Sequence, residues 1–336
     1  VTRAARITAF VSGIAEWYAM HRRDLPWRRD LSTVDDTARA YRVLVSEIML
    51  QQTQVSRVAV IYPRFLREFP SLGALARASN RDVLLAWRGM GYNRRALALR
   101  DCAADIVRAS SERLWRAGCA NDAVDFPVEM QDLLSLKGIG PYTAAAIRNF
   151  AFNLPTPCLD TNIRRILHRT FVGPERADGT FAKDDRYLLS LAAEVLEEAM
   201  AGPFLLPGTA EWHAALMDFG SIVCTKTDPK WDECPLTEKG IMKAAHRVRP
   251  MHRVRAASAE PGRMIGARFV PNRITRGRVV DALREAADGL TLNRIGARVS
   301  GDWSFSLHRK WLGDILSVLE KEGMVAGRRN KFVLAE

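Results

Sequence analysis

The chain has 336 residues, of which 48% are apolar and 26% charged, a balance that supports a substantial buried core and excludes a disordered or collagen-like chain. Its formal charge of +12 favours an anionic partner, and its five cysteines are too few and odd in number for a disulfide framework, so a reducing, cytoplasmic location is expected. No run of about 18 apolar residues occurs, and the opening VTRAARITAFVSGIAEWYAM reads as an amphipathic helix without a small-residue cleavage site, which argues against a membrane span or a secretory leader.

Up to about residue 240 the apolar residues recur at three- and four-residue steps, as in RVLVSEIMLQQTQVSRVAVIYPRFLREF and RYLLSLAAEVLEEAM, and the breaks FPSLG, GMGYN and GPFLLPGTA carry the Gly and Pro that end helices. The pattern predicts an all-α domain. Within it, SEIMLQQTQV places Glu47 on a helix beside Val45, Ile48 and Leu50, where burial would raise its pKa and let it carry a proton at neutral pH; a plain surface glutamate is the alternative. In LLSLKGIGPYTAAAIRNFAF, Gly138 and Gly140 bracket Ile139 between two helical segments, a spacing that permits a tight hairpin whose next helix offers free N–H groups to an anion such as a DNA phosphate. Packing alone would also account for it. Asp160, twenty residues past Gly140, opens a further helix in LDTNIRRILHR, either as an N-cap or as a reactive carboxylate. One carboxylic acid and one carboxylate are what cleavage of a glycosidic bond needs.

From Lys243 to Arg278 there are ten basic residues against one acidic, Glu260; most of the run lies in a stretch (241–271) read as a linker, and it either contacts phosphates or merely solubilises. Residues 272–336 read as three helices and two short strands, a small α+β unit in the order of a winged helix-turn-helix. Arg309 and Lys310 lie on its third helix and Arg328 and Arg329 in its final turn. Such a unit grips duplex DNA or another protein.

Six ordered segments then carry a resemblance: LPWR (25–28), SEIMLQQTQV (46–55), WRGMGYNRRA (87–96), LKGIGPYTAAAI (136–147), LDTNIRRIL (159–167) and ALMDFGSIVC (215–224). Together they resemble the helix-hairpin-helix DNA glycosylases of the endonuclease III superfamily, and within it the MutY-type adenine glycosylases. The resemblance implies a two-lobed core over 1–240, with a six-helix lobe at about 30–140 and a second lobe from 1–29 and 141–240. It assigns Glu47 as the acid that protonates the base, Asp160 as the carboxylate that stabilises the sugar cation, and Tyr142 and Asn162 as residues that orient the reacting groups. Tyr142 stands where bifunctional relatives hold a lysine, which implies base excision by water without Schiff-base strand cleavage. Gln52, Thr53, Met90 and Tyr92 match positions that enter the duplex and sense the opposite base, and Arg28, Gly138, Ile139 and Gly140 join them as expected DNA contacts.

Two departures accompany the match. Relatives carry four cysteines for an iron-sulfur cluster after the DFG segment; here the aligned positions are Cys224, Trp231, Cys234 and Gly240, so no cluster and no metal are expected. The C-terminal unit also differs from the NUDIX-like domain usual in adenine-specific relatives. The implied function is a monomeric, monofunctional glycosylase acting on mismatched or damaged duplex, with adenine opposite 8-oxoguanine or guanine as first substrate. Uracil, thymine or hypoxanthine in a mismatch is the alternative, and a non-catalytic damage-binding protein the alternative of another class.

Overall fold

The computed structural model describes residues 2–116, 124–204, 206–247 and 260–336; Cys119, Arg249, His252, Arg253 and Arg255 lie outside them. The described helices are, in chain order, α1 (Arg3–His21), α2 (Asp36–Leu50), α3 (Val55–Glu68), α4 (Leu72–Ala76), α5 (Asn80–Ala86) and α6 (Arg94–Arg116). There follow α7 (Met130–Ser135), α8 (Pro141–Phe152), α9 (Thr161–Leu167), α10 (Asp185–Ala201), α11 (Thr209–Ile222) and α12 (Pro235–Glu238). A hairpin of β1 (Gly262–Ile265) and β2 (Arg268–Pro271) leads to α13 (Asn272–Arg284), α14 (Leu292–Val299), α15 (Phe305–Lys321) and the hairpin of β3 (Val325–Arg328) and β4 (Lys331–Leu334). No helix among the described residues is long and apolar enough to cross a membrane.

The chain divides into two compact units: Val1–Leu44, Pro127–Ser135 and Ile139–Val254 form the first, and Val45–Phe126, Leu136–Gly138 and Arg255–Glu336 the second. The division passes through α2, and the C-terminal segment clusters with the lobe of α3 to α6. In the first unit α1 lies against α10, α11 and α12, and buries Phe10 against the edges of Phe171 and Trp212, and Trp17 against Phe219. Ring pairs of this geometry add about 1 kcal/mol beyond the area they bury. In the second unit, α13, α14 and α15 share a core of Val279, Leu283, Ile295, Leu312 and Leu316 that also takes in Leu84 of α5 and Leu97 of α6.

Two sequence expectations change. The stretch read as one helical run breaks at residues 51–54, where Gln52 adopts a left-handed φ of 56°, separating α2 from α3. Residues 262–271, read as linker, form the β1–β2 hairpin instead; strands of four residues are too short to show a period of two. Arg263 of that hairpin is not free for a phosphate, since it donates to Ser300 Oγ at 2.7 Å, pairs with Asp302 and lies 4.7 Å from the Trp311 ring centre.

A buried polar network in the first unit fixes the chain that leads into α9. Asn149 Nδ2 donates to the Thr156 carbonyl at 2.7 Å, its Oδ1 accepts from the Thr156 amide at 3.0 Å and from Thr209 Oγ1 at 2.7 Å, and His213 Nδ1 donates to the Thr209 carbonyl at 2.8 Å. Burial pushes the His213 imidazole down to about 4, and its bond to the Thr209 backbone opposes this only in part. The unfolded chain therefore takes up a proton near the ordinary value of 6.5 while the folded chain does not, so stability is complete above that pH and falls as pH drops toward 4. Thermal or urea unfolding should show about 2 kcal/mol lost from this group between pH 7.5 and pH 5. In His213→Gln the overall stability should be lower but the pH dependence flatter by that amount; an unchanged pH dependence would place the acid-sensitive group elsewhere.

Candidate active site

Asp160 is the N-cap of α9: its Oδ1 accepts from the Ile163 amide at 2.6 Å, and its Oδ2 accepts from Asn162 Nδ2 at 3.0 Å. The capping role foreseen for this residue is thus present, and capping orients the carboxylate. Burial pushes the Asp160 carboxyl above the usual carboxylate range, opposed by the amides of Ile163 and Asn162, the Arg165 charge and the Asn162 side chain. A carboxylate deprived of water and held in one orientation interacts strongly with any cation placed beside it.

What holds this turn in place is Arg165, a residue that nothing in its local sequence singles out. Its guanidinium is buried, donating from Nη2 to Asn162 Oδ1 at 2.7 Å and to the Gly220 carbonyl at 2.6 Å, from Nε to the Cys224 carbonyl at 2.6 Å, and from Nη1 to the Thr161 carbonyl at 3.2 Å. The Gly220 carbonyl belongs to the last turn of α11, where backbone acceptors have no partner within the helix. Close approach here requires glycine: a Cβ on Gly220 would lie 2.6 Å from Asn162 Cβ.

One turn further, Arg169 is almost wholly buried and organises the loop after α11. It pairs with Glu175 at 2.9 Å, donates to the carbonyls of Thr225 at 2.6 Å and Lys226 at 3.2 Å, and lies 5.8 Å from the Trp231 ring centre and 3.7 Å from Cys224 Sγ. Cys224 and Cys234 are both buried free thiols, and burial pushes both up. Gly240 is exposed at a φ of 67°. Among the described residues no group of three or more His, Cys, Asp or Glu is placed to hold a metal.

Tyr142 is the second residue of α8, half-buried against the apolar core of the first unit. The hairpin that precedes it has Gly138 at a φ of 89°, and Gly140 as the N-cap of α8 with Pro141 at the first helical position. Ile139 between them is buried, so its side chain serves packing and only its backbone remains for a ligand. Arg28 departs from its expected role: its two Nη atoms donate to the fully buried Asp218 carboxylate at 2.8 and 2.9 Å, and Arg23 donates to it from Nε at 2.7 Å and from its backbone amide at 3.0 Å. Arg28 neutralises a buried anion and is not a free phosphate contact.

Glu47 lies in the second unit, half-buried in the last turn of α2 between the buried Ser46 and Ile48. The carbonyls of Ile48 and Met49 accept from Arg95 Nη1 at 2.8 and 3.1 Å, as does that of Gln51. The same guanidinium donates from Nη2 to Thr53 Oγ1 at 2.9 Å and to the Met90 carbonyl at 3.4 Å, and lies 5.5 Å from the Tyr92 ring centre. Arg95 therefore gathers Gln51, Thr53, Met90 and Tyr92 around one cation, with Gln52 between the first two. Gln52 and Tyr92 are exposed at left-handed φ values of 56° and 45°, whereas Met90, at 2% exposure, is core and not a probe of the duplex. Arg309, Lys310, Arg328 and Arg329 are all exposed on the C-terminal segment; Lys310 pairs with Asp314 at 3.1 Å and Arg328 with Glu336 at 3.4 Å.

Residues 45–184 match the HhH-GPD superfamily of base excision DNA repair proteins. The chain is 35% identical over 278 residues to an adenine DNA glycosylase of Mycobacterium tuberculosis, spanning 82% of this chain and 78% of that protein. Its fold is similar to that of a thermostable thymine-DNA glycosylase, with a TM-score of 0.55 at 24% identity over 70% of this chain and 98% of the other. It is similar also to endonuclease III in a non-covalent DNA complex, with a TM-score of 0.53 at 15% identity over 73% and 97% of the two chains.

The clearance at Gly220 is testable. Alanine exceeds glycine in helix propensity by about 1 kcal/mol, so Gly220→Ala raises the melting temperature if the position is merely helical. The contact with Asn162 predicts the reverse: a lower melting temperature, and a single-turnover rate of base excision reduced about tenfold as Asn162 is displaced.

Proposed function

This chain belongs to the HhH-GPD superfamily and is a base excision repair DNA glycosylase; we propose that it hydrolyses the N-glycosidic bond of adenine mispaired with 8-oxoguanine or guanine. The observation that carries the chemistry is the Asp160 carboxylate, desolvated yet fixed by the Ile163 amide and Asn162. The adenine preference is drawn from the Mycobacterium tuberculosis relative.

In this reading Glu47 donates a proton to N7 of the base, the C1′–N9 bond breaks with its electron pair passing to the base, and Asp160 stabilises the sugar cation until water adds to C1′ and yields its proton to the Glu47 carboxylate. Tyr142 offers a phenol where a Schiff base would need an amine, so the product is an intact abasic strand. The backbone of the Gly138–Gly140 hairpin binds a DNA phosphate, and the exposed Gln52 and Tyr92 enter the stack vacated by the flipped nucleotide. The C-terminal segment acts as a winged helix. Its order of three helices and a hairpin, with Leu290 bridged to Phe332, supports this, and Arg309, Lys310, Arg328 and Arg329 then supply phosphate contacts.

The loop after α11 does not fit a four-thiolate cluster. Two thiols are half the set, and Trp231 and Gly240 offer no ligand to iron. Arg169 and Trp231 supply by hydrogen bonds and ring contact the cohesion that a cluster would lend. The purified protein should be colourless; iron and sulfide in stoichiometric amount would overturn this.

Incubation with duplexes carrying A:8-oxoG, A:G, T:G, U:G and hypoxanthine:T should release base from the first two alone, with strand breaks appearing only after alkali. Cleavage of pyrimidine mismatches alone would sink the adenine reading, and cleavage before alkali the role of Tyr142. Asp160→Asn keeps the cap but removes a charge whose pKa burial has raised, a charge that therefore costs folding energy at neutral pH. The new amide nitrogen loses the bond from Asn162 Nδ2, which offsets the relief of the buried charge, so this variant should lose turnover by at least about a thousandfold while melting within a few degrees of the wild type.

A further inference from the structure

The loop between α5 and α6 carries Tyr92, 52% exposed at its left-handed φ, and it is supported from two directions within the second unit. From the lobe, Arg95 binds the Met90 and Gly91 carbonyls at 3.4 and 3.5 Å, and Trp87 Nε1 donates to the Gly91 carbonyl at 3.1 Å. From the C-terminal segment comes Arg284, the last residue of α13. Its side chain is 2% exposed; Nη2 donates to Asn93 Oδ1 and Nε to the Leu84 carbonyl, each at 3.0 Å, while Nη1 pairs with Asp281. Two further ion pairs flank this bond, Arg88 with Glu285 at 2.8 Å and Arg94 with Glu322 at 3.7 Å. Asn80 Nδ2, at the start of α5, donates to the Gly323 carbonyl at 2.8 Å.

Residues 88, 93 and 94 thus each meet a partner from the C-terminal segment, and Leu84 and Leu97, on either side of the loop, lie in that segment's own core. A domain whose only task was to add phosphate contacts could hang on a tether. Burying an arginine against a carbonyl and an asparagine beside the duplex-entering loop is a costlier arrangement, sustained only by complete hydrogen bonding. We infer that the C-terminal segment is a splint for this loop, with Arg284 as the positioning residue that fixes Asn93 and so presents Tyr92 to the duplex; its use in catalysis rests on the glycosylase reading.

The splint itself is testable without DNA. In the full-length protein, amide hydrogen exchange across residues 88–94 should speed up in Arg284→Gln and in Asn93→Ala, the latter removing one acceptor and leaving the Leu84 carbonyl bond intact. Unchanged exchange in Asn93→Ala overturns the proposal, including where Arg284→Gln fails to fold. The consequence is read on an A:8-oxoG duplex with 2-aminopurine beside the target adenine. Both variants should show flipping amplitude and single-turnover rate reduced about tenfold, as expected when one hydrogen bond to a charged group is removed, with the salt dependence of binding unchanged. Arg309→Ala with Lys310→Ala should do the opposite, lowering the salt slope by about 1 for each phosphate no longer neutralised. Combined with Tyr92→Ala, Arg284→Gln should add little further loss; losses that multiply, or a flipping amplitude within about twofold of wild type, overturn the splint. A wild type that excises no base from any duplex defeats the glycosylase reading and leaves the exchange result to decide the splint.

Discussion

The guanidinium of Arg165 is the constraint on which the turn that carries Asp160 and Asn162 depends. Four acceptors converge on it, and they come from separate places: the Thr161 carbonyl and Asn162 at the start of α9, Gly220 at the end of α11, and Cys224 just beyond. A buried arginine without partners would cost several kcal/mol, so the chain near it has little freedom to rearrange. The end of α11 contributes the negative end of a helix dipole together with a carbonyl that has no partner within the helix, which suits a cation there. Asn162 stands between this cation and Asp160, accepting from one and donating to the other, so the orientation of its amide is settled by its neighbours. Arg169, four residues on, repeats the device for the following loop with Glu175, Thr225 and Lys226.

Asp160 shows why such a frame is needed. A carboxylate whose burial works against its charge is retained only where other contacts hold it, and here two hydrogen bonds and a nearby guanidinium do so. The N-cap geometry and the chemistry are therefore one requirement: the turn that ends in a cap is what aims the oxygen atoms. Under the proposed mechanism, stability and activity pull in opposite directions at this residue, as they do wherever a site is poised for a charge that has yet to appear.

Much of this was legible from residue type and spacing. Helical periodicity, the paired glycines at 138 and 140 and the position of Asp160 all correspond to what the chain forms. What could not be read was the pairing of distant side chains. Arg28 looks like a surface arginine until Asp218, 190 residues away, is found beneath it. Met90 and Ile139 have identities that suit either a wedge or a core, and burial assigns both to the core. Arg165 and Arg95 stand among many arginines, and nothing local marks them as buried hubs. A signal did exist for the docking of the C-terminal segment: Leu84 and Leu97 extend the apolar face of their helices, but a sequence does not say which partner covers such a face.

The two left-handed residues, Gln52 and Tyr92, carry the last step. Neither is glycine, and each such conformation costs about 1 kcal/mol, which a loop exposed to water has no reason to bear unless its surroundings impose it. The imposition is visible, because Arg95 binds carbonyls on the near side of Gln52 and in the loop just before Tyr92. A flexible loop would have to order itself on meeting a duplex, losing about 1–2 kcal/mol per residue of backbone entropy at that moment. Residues 88–94, bound by Arg95 from the lobe and by Arg284 from the C-terminal segment, meet that cost during folding instead. In the proposed mechanism the energy of binding then remains for unstacking and extruding the target base, the step in which an exposed aromatic side chain held in a fixed direction is of most use.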